Sequence, residues 1–217
     1  MNFAKTLVAA GVLAASCGAN ALVTGTLGGG AGTAAVLTSP TLGVAGTGGS
    51  LSGGATATLV GGAVYLADMA FADDVVPGET FLAAGPTPGG FGTPNTATLT
   101  FAGAGVSNVS FLWGSPDTFN TLTVNSSGGG TQTFTATGTG FGVAFPVTNG
   151  DQTFNQSVLF TGIGGSLITS LVFTSTSNAF EAGRFVVQSP VPEPETYALM
   201  LAGLGALGFI ARRRRQS

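Results

Sequence analysis

Between residues 55 and 187 the chain breaks into short runs in which apolar and polar positions alternate. Thr98-Leu99-Thr100-Phe101, Val109-Ser110-Phe111-Leu112-Trp113 and Phe119-Asn120-Thr121-Leu122-Thr123-Val124 show the pattern most clearly. Ala57-Thr58-Leu59-Val60 and Ala63-Val64-Tyr65-Leu66 flank a Gly-Gly pair, and looser versions cover residues 131–135, 153–160, 167–173 and 180–187. Runs with a period of two, rich in Thr, Val and Phe and cut by Gly, Asn and Pro, are half-buried antiparallel strands. No comparable stretch of the body has the helical period of about 3.6 residues. About eight or nine strands at roughly ten-residue spacing predict an all-β fold, an antiparallel β-sandwich that is jelly-roll-like. Fourteen of the sixteen phenylalanines lie between Phe71 and Phe185, so Phe is the natural core filler of that sandwich.

Residues 22–62 are different. Glycines at 28–30, 48–49, 53–54 and 61–62 separate short pieces of Ala, Thr, Val and Leu. Three readings fit: a flexible linker, short strands turned at Gly, or part of a sheet completed by later residues. No fixed repeat is present, so a solenoid is not supported. The sandwich body is expected over residues 63–188. Within it, Trp113-Gly114-Ser115-Pro116-Asp117-Thr118-Phe119-Asn120 supplies turn residues between two strong strands and is expected to be a hairpin connection.

Both ends have a different chemistry. Residues 1–21 place one cation, Lys5, before a short apolar run and end on Ala19-Asn20-Ala21. Small residues at the first and third positions before a cut after Ala21 describe a secretory signal peptide, handled by the Sec translocon and signal peptidase. Cys17 follows Ala14-Ala15-Ser16 in a loose lipoprotein-box pattern, with Ala14 where a larger aliphatic is usual. Cleavage after Ala21 removes Cys17 and leaves a mature chain without cysteine.

At the other end, residues 189–195 form a Pro-rich linker containing Pro190, Pro192 and Pro194, which keep it extended and open to an enzyme. The uncharged residues 196–211 predict a single C-terminal transmembrane helix, and 212–217 an Arg-rich cytoplasmic tail. Sixteen helical residues span about 24 Å against a hydrocarbon core of about 30 Å, and the small residues from Ala202 to Gly208 let another helix approach. Such a short, Gly-weakened span suits a temporary anchor; a permanent single span is the alternative.

This order of elements, from Val191-Pro192-Glu193-Pro194-Glu195 through the apolar stretch to Arg212, Arg213, Arg214 and Arg215, resembles the PEP-CTERM sorting signal of exosortase substrates. The resemblance implies export, transient anchoring in the inner membrane and cleavage near the motif by exosortase, a membrane-embedded, cysteine protease-like enzyme. Delivery to the cell surface or the extracellular matrix of a Gram-negative, exopolysaccharide-making bacterium would follow. By position, Pro192, Glu193 and Pro194 are the recognition motif and the four arginines the cytoplasmic stop. The Trp113–Asn120 segment and Phe180-Glu181-Ala182-Gly183-Arg184-Phe185-Val186-Val187 also resemble segments of exosortase-dependent surface proteins.

Composition narrows the chemistry further. The chain has no histidine, and its only lysine and only cysteine fall in the signal peptide. Histidine-based triads, thiol catalysis, Ser–Lys dyads and His-containing zinc sites are excluded. Gly138-Thr139-Gly140-Phe141-Gly142 lacks the lysine of a phosphate loop. Asp117, Asp151 and Glu181 remain as candidates for a carboxylate pair acting on glycosides, and Asp68, Asp73 and Asp74 as a candidate calcium cluster. Trp113 reads either as a core anchor whose indole N–H meets a carbonyl or as a sugar-stacking platform, with Tyr65 and Phe119 as further stacking candidates. Arg184 is the body's one cation, so nucleic acid and anionic polymers are not expected partners. The expectation is a non-enzymatic exosortase substrate without cofactor, structural or adhesive on the cell surface or in the exopolysaccharide/biofilm matrix, with exopolysaccharide as a candidate partner. A carbohydrate-binding module and a permanently anchored envelope protein are the alternatives.

Overall fold

The computed structural model describes residues 23–44, 46–66, 79–86, 95–147, 149–151, 153–190, 200–205 and 207. The signal-peptide residues, Ala19 and Ala21 included, lie outside them. The described residues form fourteen strands. The first seven are β1 (Val23–Leu27), β2 (Thr33–Ala34), β3 (Val36–Thr38), β4 (Gly49–Ser52), β5 (Ala57–Gly61), β6 (Ala63–Leu66) and β7 (Thr80–Ala84). The rest are β8 (Thr96–Phe101), β9 (Asn108–Gly114), β10 (Asn120–Ser126), β11 (Thr131–Thr135), β12 (Asn155–Gly162), β13 (Ile168–Ser175) and β14 (Phe180–Gln188).

The strands build two antiparallel sheets. Sheet I runs β1-β12-β9-β14-β7-β6, with β2 also pairing β14; sheet II runs β11-β10-β13-β8-β5-β4-β3. From β7 onward the chain passes back and forth between the sheets, and only the β10–β11 hairpin stays within one. The orders β7-β14-β9-β12 and β8-β13-β10-β11 that result are the double Greek-key arrangement of a jelly roll. Residues 23–61 lengthen both sheets: β1 and β2 join sheet I, and β3, β4 and β5 form a meander on sheet II.

Alternation along each strand sets the interior. In β8, Ala97, Leu99 and Phe101 are buried while Thr98 and Thr100 face out; in β10, Leu122 and Val124 are buried between Thr121, Thr123 and Asn125. From sheet I come Phe111, Trp113, Phe160, Phe180 and Phe185, and from sheet II Phe134 and Phe173. Their rings interlock across the gap: Phe111 meets Phe173 edge-on at 5.5 Å, and Phe134 meets Phe160 at 4.8 Å. Each fully buried Phe contributes about 1.5–3 kcal/mol, so this seam is the main stabilising element.

Two connections depend on local backbone chemistry. Gly61 and Gly62, at φ 73° and 61°, turn the chain from β5 in sheet II into β6 in sheet I. A Cβ at Gly62 would lie 2.6 Å from that of Ala97, so no side chain fits the corner. The segment after Trp113 is not the expected hairpin, because β9 belongs to sheet I and β10 to sheet II. Ser115 at φ 40° and the Asn120 N–H donating to the Asp117 carbonyl (3.1 Å) steer it across the end of the sandwich. Asn120 then pins the far side: its amide donates to the Ala179 carbonyl (3.2 Å) and its Oδ1 accepts from Ser175 (2.8 Å).

In the C-terminal segment, residues 200–205 and 207 are helical, and Met200, Leu201, Leu204 and Leu207 are exposed. Among the described residues no helix is long and apolar enough to cross a membrane. The remainder of the expected span at 196–211 lies outside the described residues.

Candidate functional site

Two of the three aromatic candidates, Trp113 and Tyr65, are core residues. Trp113 is fully buried; Phe180 stacks on it at 4.3 Å and Phe145 closes it edge-on at 5.5 Å. A sugar would need the indole face that Phe180 occupies. The core reading therefore holds in place of the stacking one, with a difference: the indole N–H finds no carbonyl or other partner among the described residues. Tyr65 is also buried, stacked on Phe81 at 5.7 Å, and burial pushes its phenol above the ordinary value. Phe119 is half-buried, its carbonyl accepting from the Thr176 N–H at 3.4 Å.

The three carboxylates are set in local structure. Asp117 is buried and accepts the Gly150 N–H at 2.8 Å, which ties the sheet-crossing segment to the 149–153 turn. Thr118 and Asn149 reinforce that tie, the Thr118 N–H reaching Asn149 Oδ1 at 3.0 Å. Glu181 is buried on β14, opposite Ala83 of β7 and Gly114 of β9. Asp151 folds back on its own turn, accepting the Thr153 hydroxyl (2.7 Å) and N–H (2.9 Å). Asp117 and Asp151 thus meet one turn through different atoms.

The Thr153 hydroxyl, and then its N–H, hold the Asp151 carboxyl below its ordinary value. A depressed folded value means that the native chain binds fewer protons than the unfolded one in the window between the two. The turn's contribution is present above the unfolded value and lost as pH falls through the folded one. In an NMR pH titration Asp151 is expected to titrate below ordinary aspartates, and Thr153→Ala to move it upward. A midpoint at or above the ordinary value would mean that the turn does not form in solution.

Asp68, Asp73 and Asp74 lie outside the described residues, and no metal-binding group of acids occurs among those described. Arg184 sits at φ 53° where the β14–β9 register shifts, and its Nε meets Glu79 Oε2 at 3.0 Å. With both side chains well exposed the pair contributes at most about 1 kcal/mol. The pair lines a groove of about 630 Å³ together with Ala34, Val36, Leu37 and Phe185.

A further signal lies beyond the sandwich. β14 ends at Gln188, and the match to the PEP-CTERM protein-sorting motif family model starts at residue 190 and runs to 215. Pro192, Glu193 and Pro194 and the arginines Arg212 to Arg215 fall inside that match and outside the described residues. No curated protein and no solved structure matches the chain. The motif indicates an exported substrate, recognised by exosortase and sorted at the membrane. The chain thus carries a PEP-CTERM protein-sorting motif at residues 190–215.

Proposed function

We propose that the jelly-roll body is the cargo and the C-terminus its disposable address. The body is carried out by the Sec route, held by the short C-terminal helix, and cut near Pro192–Glu193–Pro194. It then takes a structural or adhesive place on the cell surface or in the exopolysaccharide matrix of a Gram-negative host. The observation that carries this reading is the sorting motif, beginning two residues after the last described strand, so cleavage there severs no strand of the described residues. The exposed Met200, Leu201, Leu204 and Leu207 suit a lipid environment. We further propose that the body works without catalysis, since Asp117, Asp151 and Glu181 sit in turns and a strand and the body has no histidine or lysine.

Intact-mass and C-terminal peptide mapping of the protein from its native host tests this. The expected result is loss of residues 1–21 together with truncation near Pro192–Glu193–Pro194. A retained Arg212–Arg215 tail, in cells that cleave other such substrates, would leave the permanently anchored envelope protein as the reading.

A further inference from the structure

The outward face of sheet II is a regular array of small uncharged side chains. Strand register sets Thr131, Asn125, Ser170 and Thr100 in one rank, which continues through Thr58, Ser50 and Thr38. It crosses all seven strands, about 29 Å at about 4.8 Å per strand. A second rank, from Thr133 and Thr123 through Val172 and Thr98 to Val60, lies beside it. Neither rank contains an ionisable or aromatic side chain, although the chain carries nine acids and sixteen phenylalanines.

Hydrogen bonds fix both ends of the first rank. Thr131 donates to Asn125 Oδ1 at 3.0 Å, Asn125 Nδ2 donates to Ser170 at 2.9 Å, and the Thr38 and Ser50 hydroxyls meet at 3.1 Å. Between them the side chains of Thr58 and Thr100 are exposed, and neither hydroxyl has a partner among the described residues. At the β3 end the rank enters a pocket of about 550 Å³ lined by Thr38, Ser39, Thr47, Ser50 and Thr58. Its wall is held in place by Ser39, which donates to the Gly48 carbonyl at 2.8 Å. The pocket has the size of small-ligand sites. Sheet I is different: the chain at Gly30 packs close over Leu159 and Ser110.

We propose that this face docks a neutral polysaccharide, one sugar seated in the Thr38–Ser50–Thr58 pocket and the chain following the rank past Thr100. Hydroxyls both donate and accept, as sugar hydroxyls do, so a pre-positioned rank of them complements a polyhydroxylated chain. The body's excess of acid disfavours anionic polymers. A protein partner would be expected to find aromatic or arginine anchors, which both ranks lack. A linear rank with a pocket at one end also suits a polymer better than a free monosaccharide. The inference deepens the matrix reading above and rests on it for its biological setting.

Affinity electrophoresis of the purified processed protein tests it, in native gels cast with dextran or galactomannan as neutral probes and alginate as the anionic one. The protein should be retarded by a neutral polymer and not by alginate. Thr58→Val with Thr100→Val should weaken that retardation about tenfold, the loss of two neutral hydrogen bonds. Circular dichroism melting should confirm an unchanged fold. No retardation by either neutral polymer, retardation by alginate alone, or retardation indifferent to the double substitution would overturn the proposal. So would a wild-type dimer, seen by sedimentation without any retardation and lost in the variant, since the face would then serve a second copy. Peptide mapping of the same variant from the host keeps the two readings apart: the C-terminal tail should still be removed even if binding fails.

Discussion

Replacing Trp113 with alanine is expected to lower the unfolding free energy by about 3–5 kcal/mol, the range for deleting a large buried aromatic. Total stability of a domain is about 5–15 kcal/mol, so the variant should be marginal. The size of the effect follows from position. Trp113 stacks on Phe180, meets Phe145 and Phe141, and lies 6.4 Å from Phe111, which bridges to Phe173 in the other sheet. Removing the indole leaves a void at the end of the sandwich where β9 crosses to β10. Trp113→Phe is expected to cost far less, because it also removes a buried N–H that has no partner among the described residues. Urea unfolding followed by far-UV circular dichroism measures both variants. In the wild type this single tryptophan should emit at short wavelength and resist acrylamide quenching. Ready quenching, or an alanine variant within about 1 kcal/mol of wild type, would show that the indole is not the anchor described.

What could be read from the sequence followed the range of the interaction involved. The inward faces of β8 and β10 were legible because Leu99, Leu122 and Val124 alternate with threonines, a local pattern imposed by one buried face. β7 left no such trace: Thr80-Phe81-Leu82-Ala83-Ala84 lies between β14 and β6, is buried at four of five positions, and so does not alternate. The early strands were obscured by glycine, which is neutral to the hydrophobic pattern yet serves the turns between them. Alternation also says which face a strand buries and nothing about its partner. β9 pairs with β12 and β14, far along the chain, and the expected hairpin to β10 fails for that reason.

The same distinction separates the two sites. The sorting segment is linear and was legible whole. The hydroxyl face is assembled from seven strands by register, so its threonines looked like ordinary solvent-facing strand residues. Gly140 belongs with the second kind: the glycine-rich string resembles a ligand loop, yet its φ of 79° turns Phe141 back against Phe134 at 5.1 Å. There the glycines serve packing.

The second large effect is expected at the C-terminus, where two substitutions should fail in different ways. Pro192→Ala, Glu193→Ala and Pro194→Ala together remove the recognition motif while leaving the helix and the arginines. Exported protein should then accumulate at the membrane with its tail intact and its mass higher by the uncut segment. Stability of the body should be unchanged, since β14 closes at Gln188 before the substituted residues. Arg212→Gln through Arg215→Gln removes the stop instead. Each arginine costs about 2.5–3.5 kcal/mol at the centre of a bilayer, so drawing all four through opposes loss of the anchor by about 10–14 kcal/mol. Without that barrier the proposed sixteen-residue span, about 24 Å if wholly helical, is a poor stop-transfer segment, and the protein should leave the membrane uncut. Membrane fractionation and intact mass together separate these fates. Normal truncation of the motif variant would detach cleavage from Pro192, Glu193 and Pro194. Firm retention of the arginine variant would mean that the helix alone suffices as anchor, the behaviour of a permanent envelope protein rather than of a chain held only until it is cut.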